Sequence, residues 1–381
     1  MRIVFDVSSI QRRAAGIGQA GRNLLSALLA YDVENEYVLH GWSWSLDTPC
    51  VRSLHRENVS VNAHRIPGFV RRWYWDRLRN PAIEHLLGDF DIFHSCDPFS
   101  PRTRNAVLVT LHDLLSIEHP EWFAAGVVSR HEALMRSLER AGAILVPSQW
   151  TRDKLVALRP TFASKAEIVN WFPDPSFVPH DPDRKDDAVL LRLGIRSPYL
   201  LCVGTLEPRK NLVNLLKAFR IIRSRSVGDL ALVIAGKRGW NLESLRKEIG
   251  DRSSSDHISF LGYVAQVDLP ALYRKALAFV YPSRDEGFGL PILEALASGC
   301  VVVASDIPPF HELYSDAVVF VDPHAPESIA EGIRSALENE DLRSRHISLG
   351  LLTAKRHESR TTAQKIVRVY RNLSAAPRRP G

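Results

Sequence analysis

The stretch SRDEGFGLPILEALASGC, from Ser283 to Cys300, combines two acids with a glycine-rich turn and an apolar run. It places Glu286 before a Gly-Phe-Gly turn and Glu294 eight residues later, inside an apolar run that predicts a helix over Leu290–Ala297. The proline near the start of that helix costs little, because an N–H in the first turn has no helical partner. The stretch therefore predicts a loop that follows a buried strand and opens a helix, as in α/β proteins.

The same alternation of short apolar strands and amphipathic helices runs along the whole chain and predicts an α/β fold with parallel sheets covered on both faces. A length of 381 residues is too great for one ordinary core, so two doubly wound domains are expected. The expected boundaries are residues 1–172 for the first domain, 173–197 for a proline-rich linker, 198–358 for the second domain, 359–374 for a last helix and 375–381 for a disordered tail.

The composition, with 45% hydrophobic and 24% charged residues, is typical of a water-soluble globular protein. No apolar run approaches the roughly 20 residues that cross a bilayer. The cysteines lack the spacing of a metal site or a disulfide framework, since they stand at positions 50, 96, 202 and 300. These features predict a cytoplasmic protein in a reducing setting.

The net charge of +6 and the isoelectric point near 9.2 favour anionic partners such as nucleotides, diphospho-lipids, an anionic membrane surface or nucleic acid. Nucleic acid is not expected, because the chain has no zinc finger, no aromatic RNA-binding stretch and no long basic helix. The stretch FVRRWYWDRLR, Phe69 to Arg79, has two interpretations. It docks on anionic lipid headgroups, or it packs its aromatic residues inward.

The stretch GIGQAG, Gly16 to Gly21, matches the G-x-G-x-x-G pattern of dinucleotide-binding proteins. Two features argue against that function: the first strand ends near Ser8, well before the glycines, and the next strand runs into Trp42 instead of an acid. Gly16 and Gly18 therefore predict either a plain tight turn or a loop whose N–H groups face a diphosphate or a sugar.

A basic loop, VGTLEPRKNL from Val203 to Leu212, follows the first strand of the second domain. It carries Arg209 and Lys210 just before a helix, at the end of the sheet where ligands bind in α/β proteins. Arginine binds a phosphate bidentately and lysine offers a compact charge. The loop therefore predicts a phosphate site, and the alternative is a solvated basic loop.

The two carboxylates of the opening stretch are interpreted as clamps on two parts of one long ligand. A hydrolase pair flanks a single bond with its carboxyl groups about 5–10 Å apart, whereas Glu286 in a loop and Glu294 inside a helix are separated along the helix axis. Each carboxylate can accept hydrogen bonds from adjacent hydroxyls of a sugar or ribose. The N–H groups of Phe288, Gly289 and Leu290 can face a phosphate at the positive helix end. The alternative is a solvated Glu286 and a salt-bridged Glu294.

His112 closes an apolar strand at a carboxyl end and is a candidate site residue, although a lone histidine is often structural. The acids Asp89 and Asp91 of GDFDIF resemble a metal-binding pair, but the strand follows them instead of leading into them. The run DPDRKDD lies in the expected linker. Neither has supporting ligands at metal spacing, so no metal and no cofactor are expected.

Together these motifs resemble family 4 of the retaining glycosyltransferases, which have the GT-B fold. The resemblance implies two Rossmann-like domains facing a central cleft, with the acceptor on the N-terminal domain, a nucleotide-sugar on the C-terminal one, and a last helix that crosses back. Bacterial mannosyl- and rhamnosyltransferases of lipopolysaccharide synthesis are similar in particular. The stretches that carry the resemblance span nearly the whole chain and are GIGQAGRNLL, VTLHDLLSIEHPEWF, ILVPSQWTRDKL, YLLCVGTLEPRKNL, LVIAGKRGW, ISFLGYV and PSRDEGFGLPILEALASGCVVVAS.

The resemblance also implies roles for single residues. Glu286 would hold the donor sugar and Glu294 the ribose, Lys210 would bind the diphosphate, and His112 would contact the donor sugar. His112, Lys210 and Glu286 are the expected catalytic residues. The expected donor-binding residues are Gly16, Gly18, Gly204, Thr205, Arg209, Lys210, Tyr263, Val264, Glu286, Gly287, Phe288, Gly289, Leu290 and Glu294, with main-chain groups of Tyr263 and Val264 meeting the base.

The chain departs from the family pattern at two places. Many members have arginine directly after the strand-ending glycine, where this chain has Thr205, so Arg209 is expected to share the phosphate work. The stretch NWFPDPSF, from Asn170, replaces the usual N-G-V-D-x-x-F and leaves the conformation of the hinge open.

The function implied by the resemblance is metal-independent transfer, with retention, of mannose or D-rhamnose from a GDP-sugar to a lipid-linked glycan of an O-chain or another surface polysaccharide. UDP- or dTDP-sugar donors are the first alternative. A nucleotide-sugar 2-epimerase on the same fold and a catalytically silent partner subunit are the others. The expected location is the cytoplasm, with peripheral contact to the anionic inner membrane.

Overall fold

The computed structural model describes residues 1–10, 16–42, 51, 54, 56–64, 70, 82–96, 100–179, 185–196, 198–225, 229–250 and 257–375. Except for Val70, the basic-aromatic stretch Phe69–Arg79 lies outside the described residues, as does the tail after Ala375. The contacts divide the chain into two compact units. The first comprises Met1–Leu114, Ser129–Trp171 and Ser359–Gly381, and the second comprises Leu115–Val128 and Phe172–Glu358.

The first unit is built on a parallel sheet with helices. Its strands are β1 (Arg2–Asp6), β2 (Glu36–Trp42), β3 (Val59–His64), β4 (Ile92–Ser95), β5 (Ala106–Thr110), β6 (Ala143–Val146) and β7 (Ala166–Ile168). Its helices are α1 (Ile17–Tyr31), α2 (Glu84–Leu87), α5 (His131–Arg140), α6 (Gln149–Leu158) and α15 (Ser359–Ala375). The strand order is β3-β2-β1-β4-β5-β6-β7, and β4 and β6 are buried along their whole length, as strands covered on both faces must be.

The second unit repeats this plan. Its strands are β8 (Tyr199–Val203), β9 (Ala231–Ala235), β10 (Ile258–Gly262), β11 (Ala278–Tyr281), β12 (Val302–Ser305) and β13 (Val319–Val321). Its helices are α3 (Leu115–Glu118), α4 (Ala125–Val128), α7 (Asp186–Arg192), α8 (Leu212–Arg225), α9 (Glu243–Ile249), α10 (Leu269–Lys275), α11 (Leu290–Ala297), α12 (Pro308–Tyr314), α13 (Pro326–Glu338) and α14 (Glu340–Arg356). The parallel order β10-β9-β8-β11-β12-β13 is that of a Rossmann sheet, and the predicted fold of two doubly wound parallel sheets is confirmed.

One segment of the chain joins a different unit from its sequence neighbours. Residues Leu115–Val128, inside the first domain as predicted, belong to the second unit. The indole Nε1 of Trp240 donates to the Trp122 carbonyl at 2.7 Å, and the ring of Phe123 lies 6.2 Å from that of Trp240. These contacts join residues about 120 positions apart, so local sequence patterns could not reveal them.

The segment 173–197, predicted as a linker, contains helix α7. Asp186 at its first position pairs with Arg274 of α10, with Oδ1 2.5 Å from Nη2 and Oδ2 2.7 Å from Nε. Both side chains are almost fully buried, at 4% and 2% exposed. The polar composition that predicted a linker thus includes an acid whose partner lies 88 residues away. The last helix also differs slightly from its prediction, because α15 ends at Ala375.

Helix α15 is joined to the first sheet through a buried histidine. The His94 ring on β4 bonds to the Tyr370 hydroxyl of α15 at 2.6 Å and to Thr110 Oγ1 of β5 at 2.8 Å. His94 has no exposed surface, and α15 also packs against α1. Burial lowers the pKa of His94 to about 3, so the ring is neutral in the folded protein above that pH.

We expect this histidine to make stability depend on pH. The unfolded chain protonates His94 below about pH 6.5, whereas the folded protein does not until near pH 3, so stability falls as pH drops from 6.5. The slope for one proton is about 1.4 kcal/mol per pH unit. Urea unfolding at pH 7, 6 and 5 measures how the free energy of unfolding changes with pH. In His94→Gln this slope is expected to be smaller by the contribution of one proton. Equal slopes in both proteins would contradict the assignment.

Candidate active site

In the second unit, the basic loop Val203–Leu212 and the loop that carries Glu286 meet at one ion pair. Lys210 Nζ lies 2.5 Å from Glu286 Oε1, and the two side chains are 8% and 7% exposed. The Tyr281 hydroxyl donates to the same carboxylate oxygen at 2.9 Å and accepts a hydrogen bond from Lys210. Two of the three predicted catalytic residues are therefore in direct contact.

Arg209 occupies the other side of the same carboxylate. Its Nη1 lies 2.6 Å from Glu286 Oε2, and its Nε lies 2.5 Å from Glu207 Oε1. The two acids and the two cations, Arg209 and Lys210, cancel in charge. This balance matters because an unpaired buried charge would be strongly destabilising.

The ionisation of the pair follows from this network. Burial raises the pKa of Glu286, but the charges and hydrogen bonds of Arg209 and Lys210 outweigh burial and lower that pKa to about 2. The pKa of Lys210 is lowered by burial and by the neighbouring charge of Arg209, while Glu286 and Glu207 act in the opposite direction. Glu286 is a carboxylate at neutral pH, so it can accept hydrogen bonds but cannot serve as a general acid.

The fold brings these loops together because they leave adjacent strands. Strand β8 ends before Gly204 and strand β11 ends before Pro282, and the two strands are neighbours at the point where the strand order reverses. The Arg284 N–H donates to the Arg209 carbonyl at 2.8 Å and joins the loops. A Cβ on Gly204 would lie 3.3 Å from Lys210 Cε, so glycine leaves room for the lysine to pass.

Glu294 lies on α11 with a separate set of partners. Its Oε2 accepts from the Tyr273 hydroxyl at 3.0 Å, and the side chain is 5% exposed. Burial raises the pKa of Glu294 to about 8, and the nearby charge of Asp174 acts in the same direction. Glu286 and Glu294 thus share none of these partners and differ in ionisation.

The turn between the two acids is held by a buried tyrosine, Tyr314. The Tyr314 hydroxyl bonds the carbonyls of Phe288 at 2.9 Å and Gly289 at 3.1 Å, and the Phe288 ring is buried. Gly289 has φ +84°, and a Cβ there would lie 2.7 Å from the Phe310 ring. Within the described ranges, the N–H groups of Phe288, Gly289 and Leu290 have no protein acceptor. Only the backbone of Phe288, not its buried ring, is free to bind a ligand.

The raised pKa of Glu294 predicts that donor binding depends on pH. If the ribose hydroxyls require a carboxylate, binding must release a proton below about pH 8, so affinity is expected to rise between pH 6.5 and 8.5. Calorimetry with GDP in buffers of different ionisation enthalpy measures that proton. Glu294→Gln is expected to bind weakly without the pH dependence. A flat profile in the wild type would contradict the prediction.

The loops after β9 and β10 complete this edge of the second sheet. A Cβ on Gly236 would lie 1.8 Å from the Gly204 carbonyl oxygen, so the loop after β9 is packed directly on the loop that carries Thr205. The Gly236 N–H donates to the Gly262 carbonyl at 2.8 Å. Tyr263 and Val264 follow Gly262, with Val264 buried and Tyr263 half-buried.

The remaining predicted site residues lie in the first unit. Gly16, at φ +53°, precedes α1 and has open space where a Cβ would stand, and Gly18 is buried in the first turn. His112 follows β5, and its ring lies 5.4 Å from that of Trp171. Burial lowers the pKa of His112 to about 4, partly offset by a hydrogen bond to the Cys96 carbonyl.

Sequence reasoning missed three residues of the candidate site. Glu207 lies inside the quoted basic loop, and an acid two residues before Arg209 was a usable signal. Tyr281 and Tyr273 looked like core residues, because their neighbours on β11 and α10 are apolar and buried. Their hydroxyls, which carry the contacts to Glu286 and Glu294, left no pattern in the sequence.

In the part of the chain that the structure describes, no group of three or more His, Cys, Asp or Glu side chains is placed to hold a metal ion. None of the described helices is long and apolar enough to cross a membrane.

Comparison with known proteins supports the fold and the motifs. Residues 191–350 match the family model described as Glycosyl transferases group 1. The chain is 29% identical over 384 residues to the O-antigen chain mannosyltransferase B of Escherichia coli. The alignment covers 98% of this chain and 100% of that relative. It is 29% identical over 272 residues to the O-antigen chain mannosyltransferase RfbU of Salmonella typhimurium strain LT2, covering 71% of each.

Solved structures show the same architecture. Sucrose-phosphate synthase from Thermosynechococcus elongatus superposes with a TM-score of 0.74 at 18% identity, covering 99% of this chain and 100% of that one. With the sequence relatives, this confirms the resemblance to GT-B enzymes of family 4.

Proposed function

We propose that this chain, a glycosyltransferase with the GT-B fold, moves a mannosyl or D-rhamnosyl residue from a GDP-sugar to a lipid-linked glycan of an O-antigen or another surface polysaccharide. The names of two relatives, both O-antigen chain mannosyltransferases, support the sugar and the pathway. The observation that carries the proposal is the buried cluster of Arg209, Lys210 and Glu286 beside the unused N–H groups of the 288–290 turn.

The cluster offers matched groups for an activated sugar. Lys210 and Arg209 supply two positive charges for a diphosphate, and the N–H groups of Gly289 and Leu290 supply donors at the N-terminus of α11. A carboxylate held ionised beside them, Glu286, can accept hydrogen bonds from the hydroxyls of the hexose. We infer that Glu294, which has different side-chain partners, binds the ribose.

The reaction needs few proton transfers by the protein. The bond between the anomeric carbon and the diphosphate oxygen breaks, its electron pair goes to the diphosphate, and the acceptor oxygen attacks from the same face. Configuration is retained because the acceptor attacks the face from which the diphosphate departs, and the acceptor proton passes to a diphosphate oxygen. Lys210 and Arg209 stabilise the charge that develops on the leaving diphosphate, which is electrostatic catalysis by preorganised groups. No metal takes part in this proposal.

The donor can be identified by ligand stabilisation. GDP, UDP and dTDP are added separately in a thermal unfolding assay, and GDP is expected to raise the melting temperature most. Transfer is then followed with GDP-mannose and alkyl glycoside acceptors, with and without EDTA. Stabilisation by UDP or dTDP alone would overturn the GDP assignment. Conversion of the donor sugar without acceptor would indicate an epimerase, and no turnover with any donor would indicate a silent subunit.

Glu286→Gln separates sugar binding from diphosphate binding. Removing the negative charge frees Lys210 and Arg209 from an internal partner, so GDP is expected to bind about three-fold tighter or more. Transfer is expected to fall about 100-fold, because the hexose loses its charged acceptor. Calorimetry and initial rates measure the two effects. Glu243→Gln, an exposed acid of α9, is the control, and weaker GDP binding in Glu286→Gln would contradict the geometry.

A further inference from the structure

The ring of His112 packs against Trp171, the second residue of NWFPDPSF, which has no assigned role among the predicted site residues. The two ring centres are 5.4 Å apart with the planes tilted by 42°, and Trp171 is 4% exposed. Both residues belong to the first unit. A large indole against a half-buried imidazole restricts the rotamers open to the histidine.

The backbone around Trp171 is anchored at two points. The Asn170 side-chain amide donates to the Pro147 carbonyl at 2.9 Å, and the Asn170 carbonyl accepts from Thr362 Oγ1 of α15 at 3.0 Å. These bonds fix the residue before Trp171 to a loop and to a helix of the same unit. The indole is therefore held in place by the backbone as well as by burial.

Both partners stand at places where the chain passes from one unit to the other. Trp171 is the last residue of the first unit before Phe172 begins a long segment of the second. His112 stands two residues before Leu114, after which the chain also enters the second unit. The contact of Trp171 with His112 therefore connects the two chain segments that lead from the first unit into the second.

The imidazole is oriented by a second contact. It donates a ring hydrogen bond to the Cys96 carbonyl, and Nε2 is buried without a hydrogen-bond partner among the described residues. The proton is therefore on Nδ1, and Nε2 is left as an acceptor. A buried polar atom without a partner is costly in a folded protein, and such atoms are often kept for function.

We propose that Trp171 is a positioning residue that holds the His112 imidazole in one orientation, with Nε2 presented as a hydrogen-bond acceptor for a sugar hydroxyl. The proposal rests on the transferase function above. The departure of NWFPDPSF from the family pattern then has a purpose, because the residue that follows Asn170 supplies the indole. A change in the backbone at either crossing would act on His112 through this contact.

The test follows the imidazole itself. Histidine-labelled protein is titrated by NMR, and the His112 signal is assigned with His112→Gln. In the wild type the ring is expected to stay neutral down to about pH 4. In Trp171→Leu the opened ring should titrate at least one unit higher, whereas Trp171→Phe, which keeps an aromatic ring, should stay near the wild-type value.

Phe177→Leu is the matched control. Phe177 is a buried aromatic residue of the same segment, but its ring packs on Tyr273 in the second unit, 5.7 Å away. It is expected to lower stability without moving the His112 titration. The neighbouring carboxylate of Asp113 is unchanged in every variant, so it cannot produce the difference.

Kinetics then distinguish positioning from general stability. Trp171→Leu is expected to lower kcat about ten-fold or more with the donor KM within two-fold, because a misplaced group loses its effect in the transition state, and Trp171→Phe should recover most of it. An unchanged His112 titration in Trp171→Leu, or an equal shift in Phe177→Leu, would overturn the proposal. The titration does not depend on turnover, so it can succeed even if the transferase assay finds no activity.

Discussion

Lys210→Ala is expected to slow sugar transfer at least about 30-fold, a loss of about 2 kcal/mol of transition-state stabilisation. The lysine is 8% exposed and its ammonium group lies 2.5 Å from Glu286. A charge in such a setting acts more strongly on a leaving diphosphate than an exposed charge would. The measurement is kcat/KM with the nucleotide-sugar that stabilises the protein most.

A variant of a second lysine shows whether the loss of activity comes only from the change in net charge. Lys247 on α9 is exposed in the same unit, and Lys247→Ala is expected to leave kcat/KM within two-fold. Near-normal turnover in Lys210→Ala would remove the lysine from the proposed chemistry and leave Arg209 as the cation for the diphosphate.

Arg274→Ala is expected to lower the free energy of unfolding of the second unit by about 3–5 kcal/mol. The substitution leaves the buried carboxylate of Asp186, the first residue of α7, without the cation that joins α7 to α10. Chemical denaturation followed by circular dichroism measures the change. Because both groups are almost fully buried, added salt should alter it little.

Two further variants isolate the buried pair. Arg192→Ala removes an ion pair with Asp268 between the same helices, but Arg192 is 61% exposed, so a loss of at most about 1 kcal/mol is expected. Replacing both members of the buried pair with apolar residues, as Asp186→Leu with Arg274→Met, should recover much of the stability. A small effect of Arg274→Ala would show that α7 is held mainly by apolar packing.

The interior of the fold could be predicted from the sequence, but its margins could not. Helix α11 has the predicted bounds Leu290–Ala297, because its apolar period and its glycine and proline boundaries are strong local signals. Strands β3, β7 and β13 have no clear signal in the sequence, and all three are sheet edges. Edge strands are short or more polar than buried ones, as Val59–His64 shows, so they lack the apolar run that indicates a strand.

The candidate site also has a part that could be predicted from the sequence and a part that could not. The residues at strand ends could be found, because ligands gather at the carboxyl edge of a parallel sheet. The contact of Arg209 with Glu207 and Glu286 could not, because it depends on how two loops cross in space. The roles of the individual residues in donor binding stay predictions until variants are measured.

The assignment of Leu115–Val128 to the second unit limits how this protein can be divided or recombined. A hybrid enzyme made by exchanging halves at residue 172 would give the recipient half a foreign copy of this segment, in place of the one whose Trp122 carbonyl receives the Trp240 indole. The C-terminal helix α15 would also be exchanged with the wrong half, because it belongs to the first unit. A workable exchange therefore takes residues 115–128 together with 172–358 as one cassette and leaves 359–375 behind.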